Sequence, residues 1–111
     1  MKKYIPNQGD IIWLDFDPSS GREIMKRRPA LVLTKSVFNE HTGFAFVAAI
    51  TSTQRGNKFE VILPDNCKTQ GSIITFQIRS TDFQSRNAEK IEICPRACIE
   101  QVLKISKVIL S

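Results

Sequence analysis

Residues 9–18 read Gly9-Asp10-Ile11-Ile12-Trp13-Leu14-Asp15-Phe16-Asp17-Pro18. The middle of this stretch, Ile11 to Phe16, is rich in residues that suit a pleated, half-buried surface. Behind it, Asp17-Pro18-Ser19-Ser20-Gly21 is a dense cluster of turn formers. The pair predicts a strand that stops at a sharp turn.

The same kind of unit recurs along the chain. Ala30-Leu31-Val32-Leu33-Thr34 and Phe44-Ala45-Phe46-Val47-Ala48-Ala49-Ile50 are near-continuous apolar runs of strand length. Between them, Lys35 to Thr42 fits a short helix closed by Gly43. Phe59 to Leu63, Ser72 to Ile78 and Lys90 to Ile93 read as further strands, broken by Gly56-Asn57 and Pro64-Asp65-Asn66. After Pro95, a residue suited to a first helical turn, the period changes. Ile99, Val102, Leu103, Ile105, Val108, Ile109 and Leu110 mark the apolar side of an amphipathic helix packed on the sheet. Five to seven short strands and one closing helix predict a mainly β chain, folded as a small, strongly bent barrel.

A length of 111 residues suits a single domain spanning 1–111. Hydrophobic residues make up 41% and charged residues 24%, which is globular composition and argues against disorder. No apolar run approaches the ~20 residues of a membrane span. Met1-Lys2-Lys3 is followed by Tyr4-Ile5-Pro6-Asn7-Gln8-Gly9-Asp10 rather than an apolar stretch, so a cytoplasmic location is expected.

The formal charge is +5. Between Arg22 and Lys58 lie seven basic residues opposed only by Glu23 and Glu40, and the remainder of the chain is neutral. Such a concentrated cationic surface suits a polyanion, either nucleic acid or an acidic protein segment. Solvated surface charge is the plainer alternative. The three cysteines, Cys67, Cys94 and Cys98, include no C-x-x-C pair, and His41 is the single histidine. Reduced, buried thiols and no metal site are therefore expected. A lone histidine also removes any mechanism built on two histidines as acid and base.

Several stretches together carry a family resemblance. They are Gly9 to Pro18, then Gly21, Glu23 and Arg28-Pro29-Ala30-Leu31-Val32-Leu33, followed by Phe38-Asn39, Thr42-Gly43, Thr51, Gln54 and Gly56. Phe59-Glu60-Val61, Gly71, Gln77 through Ser80 and Arg86 continue the match. The chain resembles the MazF/PemK family of toxin–antitoxin endoribonucleases over nearly its whole length. That resemblance implies an SH3-like barrel of MazF/CcdB type, with a short helix after the second strand and an amphipathic C-terminal helix. It further implies a homodimer that cleaves single-stranded RNA at short sequences, without metal or other cofactor. The expected partners are RNA and a cognate antitoxin with an acidic disordered segment, with DNA met only through the antitoxin complex. In the family the Arg of the R-P-A element and the Thr ending the next apolar strand are the catalytic pair. These correspond to Arg28 and Thr51, and the Glu five positions before the Arg corresponds to Glu23. Phe76 departs from the pattern, which leads one to expect an acidic residue there.

The chemistry can also be argued from the residues. Attack of a ribose 2′-OH on the adjacent phosphate needs a proton acceptor, stabilisation of the added phosphate charge, and help for the departing 5′-oxygen. Glu23 is a carboxylate within the basic segment; neighbouring cations keep it ionised but lower its basicity, so substrate positioning is its alternative role. Arg28 presents a planar fork matched to two phosphate oxygens. Pro29 biases it to an extended backbone. Its role is transition-state stabilisation, with proton donation to the leaving oxygen a further option. Thr51 offers a stiff hydroxyl donor, and a turn-capping role is the plainer alternative. Arg27, Arg55, Lys58, Arg79 and Arg86 are candidates for RNA phosphates, and Gln77 for a base edge. Ser52, Thr53 and Gln54 are weaker candidates for base or sugar contacts. Phe76 stacks on a base or packs in the core, and Trp13 and Phe16 belong to the core or a dimer interface.

Two other readings stand beside this one. A CcdB-like gyrase poison shares the barrel but relies on an aromatic C-terminal tip, whereas this chain ends Val108-Ile109-Leu110-Ser111. An SH3-like RNA-binding module without cleavage is the other.

Overall fold

A computed structural model describes residues 3–16, 26–52 and 56–111. Its elements are β1 (Asp10–Phe16), β2 (Lys26–Val32), α1 (Ser36–Thr42), β3 (Phe44–Thr51), β4 (Glu60–Ile62), β5 (Ser72–Asp82), β6 (Glu89–Ile93) and α2 (Arg96–Leu110). The six strands form one antiparallel sheet in the order β4-β5-β3-β2-β1-β6. It curls so that Arg79 to Asp82 at the end of β5, and Arg86 beyond it, line a cavity with Leu14 to Phe16 at the end of β1. The mainly β, strongly bent architecture, the short helix after β2 and the C-terminal helix are as the sequence predicts.

The apolar runs are continuous because both faces of the curled sheet are buried. Ile11, Leu31, Ala48 and Ile50 face one core with Ile99 and Val102 of α2. Ile12, Leu14, Ala30, Val32, Ala45 and Val47 alternate with them and close a second core around Phe83. Residues of β2 before Ala30, too polar to read as strand, are recruited by pairing: Arg27 stands opposite Asp15, Arg28 opposite Leu14 and Pro29 opposite Trp13. On its other side β2 pairs with β3 only from Ala30 onward, so Pro29, which lacks a backbone donor, falls just outside that ladder.

α1 ends at Gly43, whose φ of 78° lets its N–H reach the Asn39 carbonyl at 2.8 Å. Buried Asn39 donates to the Pro6 and Thr34 carbonyls at 2.8 and 3.0 Å and accepts from the Thr34 hydroxyl at 2.6 Å. Its polar atoms are thereby satisfied in the interior.

Three expectations need correction. Pro95 precedes α2 as its N-cap rather than lying in the first turn. Val108, Ile109 and Leu110 are exposed by 66%, 41% and 80%, so the last turn of α2 does not pack on the sheet. Trp13 is 40% exposed and Phe76 44%, which removes both from the core.

Cys67, Cys94 and Cys98 of α2 are free and buried in one core. A hydrogen bond to Cys98, together with burial, pushes the Cys94 thiol far above its usual range, and burial raises Cys67. Buried, protonated thiols are inert. The hydrogen bond between Cys94 and Cys98 lowers the Cys98 thiol, so burial alone shields that residue. An aromatic disulfide reagent should label all three cysteines slowly in the native protein and rapidly after unfolding. Equal rates in both states would contradict this packing.

Candidate active site

β2 runs antiparallel to both neighbours, so its beginning lies beside the ends of β1 and β3. Extending the β2–β3 register two residues past its last pair, Ala30 with Ala49, sets Arg28 across from Thr51. Alternation puts the Arg28 side chain on the face of Ala30 and Val32, beyond the apolar layer they close. Arg28 is exposed, and among the described residues no hydrogen bond or ion pair engages it. Thr51 is half-buried where β3 meets Ser72 of β5.

Backbone packing sets the position of Thr51. Gly71 has a φ of 130°, and a methyl carbon there would stand 2.9 Å from the Thr51 carbonyl carbon and overlap its oxygen. The Gly71 carbonyl accepts the Leu63 N–H at 2.9 Å. The Glu92 carboxylate receives the Lys68 and Thr69 N–H groups at 3.1 and 2.7 Å, fixing the loop that leads into Gly71.

Across β1 from Arg28, Leu14 lines a cavity of about 170 Å³ together with Phe16, Phe44, Arg79, Asp82 and Arg86. The Arg79 guanidinium lies 5.3 Å from the centre of the Phe16 ring, a cation–π contact that holds it over the cavity. Arg79 and Arg86 thus share a cavity with Phe44 at the start of β3, whereas Thr51 closes the other end of that strand, across from Arg28 in the extended register. Gln77 and Phe76 are exposed where β5 bends; between Ala48 and Ile50 its register with β3 shifts, moving the partner from Ile78 to Ile73. Ser52 is exposed directly after Thr51, and Lys58 is exposed in the turn before β4. Glu23, Thr53, Gln54 and Arg55 lie outside the described residues.

Arg27 is placed differently from its neighbour. Its guanidinium donates to Asp15 Oδ1 at 2.9 Å, to the Asn87 carbonyl at 2.7 Å and to Glu89 Oε1 at 2.9 Å. Hydrogen bonds from Asn87 and Arg27 hold the Asp15 carboxyl below the usual range. Asn87 escaped the sequence reading, although Asn is among the few residues that tolerate a positive φ, here 56°. The Asp15–Arg27 partnership was also missed, because strand register creates it. Among the described residues, no group of three or more His, Cys, Asp or Glu side chains is placed to hold a metal ion. None of the described helices is long and apolar enough to cross a membrane.

Residues 7–110 match the model of the PemK-like, MazF-like toxin of type II toxin–antitoxin systems. The chain is 36% identical over 90 residues to the endoribonuclease toxin MazF of Escherichia coli K12, covering 81% of this chain and 80% of that one. It is 34% identical over 110 residues to the endoribonuclease toxin ChpB of the same organism, covering 93% and 92%. A crystal structure of MazE–MazF from Deinococcus radiodurans superposes with a TM-score of 0.92 at 35% identity, covering 97% of each chain. A crystal structure of MazF from that organism gives 0.89 at 35% identity, covering 97% and 98%. By motif, fold and overall similarity, this chain belongs to the PemK-like, MazF-like toxin family of type II toxin–antitoxin systems.

Proposed function

We propose that the protein is an endoribonuclease toxin that cleaves single-stranded RNA by intramolecular attack of a ribose 2′-OH on the adjacent phosphate. The 2′-oxygen forms a bond to phosphorus, the bond to the 5′-oxygen breaks, and the products are a 2′,3′-cyclic phosphate and a 5′-OH. What supports this reading is the β2–β3 register, which when extended sets exposed Arg28, unengaged among the described residues, across from Thr51, in a chain of this family. Arg28 stabilises the charge that develops on the phosphate, and Thr51 donates a hydrogen bond to a phosphate oxygen. Glu23 takes the 2′-OH proton or positions the RNA. Arg79, Arg86, Lys58 and Arg55 hold flanking phosphates. Gln77 reads a base edge beside Phe76, with Ser52, Thr53 and Gln54 along the sugar or base. No metal or cofactor takes part.

The working form is a homodimer. Trp13, Phe38 and Phe46 remain about two-fifths exposed, an apolar set suited to a second copy. An antitoxin whose acidic, disordered segment folds into the cationic groove blocks RNA, and the antitoxin provides the link to DNA. The protein acts in the cytoplasm.

Incubation with a mixed single-stranded RNA in EDTA, and separately with gyrase, tests the reading. RNA fragments are expected. Intact RNA with stalled gyrase would favour the gyrase poison, and RNA retained uncut would favour a binding module. Binding should be steeply salt-dependent. Four phosphate contacts at a slope of about −0.7 each weaken affinity roughly fiftyfold for a fourfold rise in salt. A salt-insensitive affinity would contradict the cationic face.

A further inference from the structure

Arg27 has the residue type of a phosphate ligand, yet its surroundings give it other work. Arg27 and Arg28 are consecutive on an extended strand, so they project to opposite faces, and Arg28 takes the face of Leu14. The Arg27 fork is already filled by Asp15, Glu89 and the Asn87 carbonyl, all at 2.9 Å or less. Asn87 is gripped a second time, its side-chain amide donating to Asp15 Oδ2 at 2.7 Å. The Arg86 carbonyl accepts the Asp15 N–H at 2.9 Å. The loop bearing Arg86 is closed on itself by Arg86 N–H to the Asp82 carbonyl at 3.1 Å and Ala88 N–H to the Phe83 carbonyl at 3.0 Å.

From this geometry we infer that Arg27 is a positioning residue, which with Asp15 clamps Asn87 and so aims Arg86 at the substrate. The inference rests on the RNA reading above and refines it. The planar guanidinium is what the clamp requires, because one ammonium cannot reproduce its fork to three separated acceptors. The two carboxylates that bind Arg27 also screen its charge from an incoming phosphate.

The test uses the intact protein and a 2′-O-methyl RNA oligonucleotide, which binds without being cut. Arg27→Lys should weaken binding roughly tenfold, the scale of one charge-assisted hydrogen bond. Asp15→Asn should weaken it in the same direction. Combining Arg27→Lys with Arg86→Ala should be no worse than Arg86→Ala alone, within about twofold. Amide exchange at Arg86 and Ala88 should rise in Arg27→Lys while the rest of the protein keeps its protection.

A direct phosphate contact predicts the opposite signs. Lysine would largely replace arginine, removal of the Asp15 charge would tighten binding, and the Arg27 and Arg86 effects would multiply. Any of these results overturns the inference, as does unchanged exchange at Arg86. Wild-type protein that fails to bind the oligonucleotide overturns the RNA reading instead, and the exchange measurement still decides whether the clamp exists.

Discussion

Arg28→Ala should slow cleavage of single-stranded RNA by at least roughly a hundredfold, the scale for losing one preorganised donor aimed at a developing oxyanion. The substitution removes an exposed side chain with no partner among the described residues, so stability should change by no more than about 0.5 kcal/mol. The combination separates chemistry from folding. Loss of rate with an unchanged melting temperature assigns Arg28 to the transition state. Arg28→Lys keeps the charge but loses the two-pronged geometry, so it should recover only part of the rate. Full activity in Arg28→Ala would remove Arg28 from the mechanism and leave the joined strand ends without their central cation.

Gly71→Ala should be the most damaging single-methyl change. Its φ of 130° is a backbone conformation that side chains rarely adopt, and the new carbon would overlap the Thr51 carbonyl. Backbone strain of about 1–3 kcal/mol adds to overpacking of similar size. A loss of about 3 kcal/mol corresponds to a fall of roughly 10–15 °C in Tm for a chain of this length. Gly43→Ala is the control, because Gly43 also has positive φ, 78°, but no atom within 4 Å of the added carbon. It should cost only about 1–2 kcal/mol, the strain of a single left-handed residue. At a temperature where both variants are folded, only Gly71→Ala should also lower the cleavage rate, since relief of the clash moves Thr51. Equal Tm values and equal activities would contradict the close approach of these two backbones.

The strands were legible because burial on both faces leaves continuous apolar runs, as in Ala30 to Val32. The short helix was legible because Gly43 signals its left-handed end. What could not be read locally depends on partners distant in sequence. Lys26 to Pro29 form strand only because β1 supplies a ladder. Trp13 has the composition of a core residue and shares the face of buried Ile11, yet that face is uncovered two residues further along β1. The α2 periodicity runs to Leu110, although α2 packs chiefly against β5 and β4 and leaves the last turn uncovered.

The candidate site divides in the same way. Arg28 and Thr51 are marked by residue type and family spacing, and the β2–β3 register whose extension sets them opposite each other is one that apolar runs alone do not specify. Arg27 looks identical to Arg28 in sequence. Their separation comes from strand alternation and from Asp15, Asn87 and Glu89, which topology brings from 12, 60 and 62 residues away. Charge composition locates a cationic surface, whereas hydrogen bonding determines which cations remain available to a substrate.

The central claim is tested most directly by the chemistry of the cut ends. Wild-type protein should be incubated with single-stranded RNA at neutral pH in EDTA, and the new termini identified by mass. The account predicts 2′,3′-cyclic phosphates paired with 5′-hydroxyls, absent when Arg28→Ala is used. Fragments carrying 3′-hydroxyls and 5′-phosphates would contradict it.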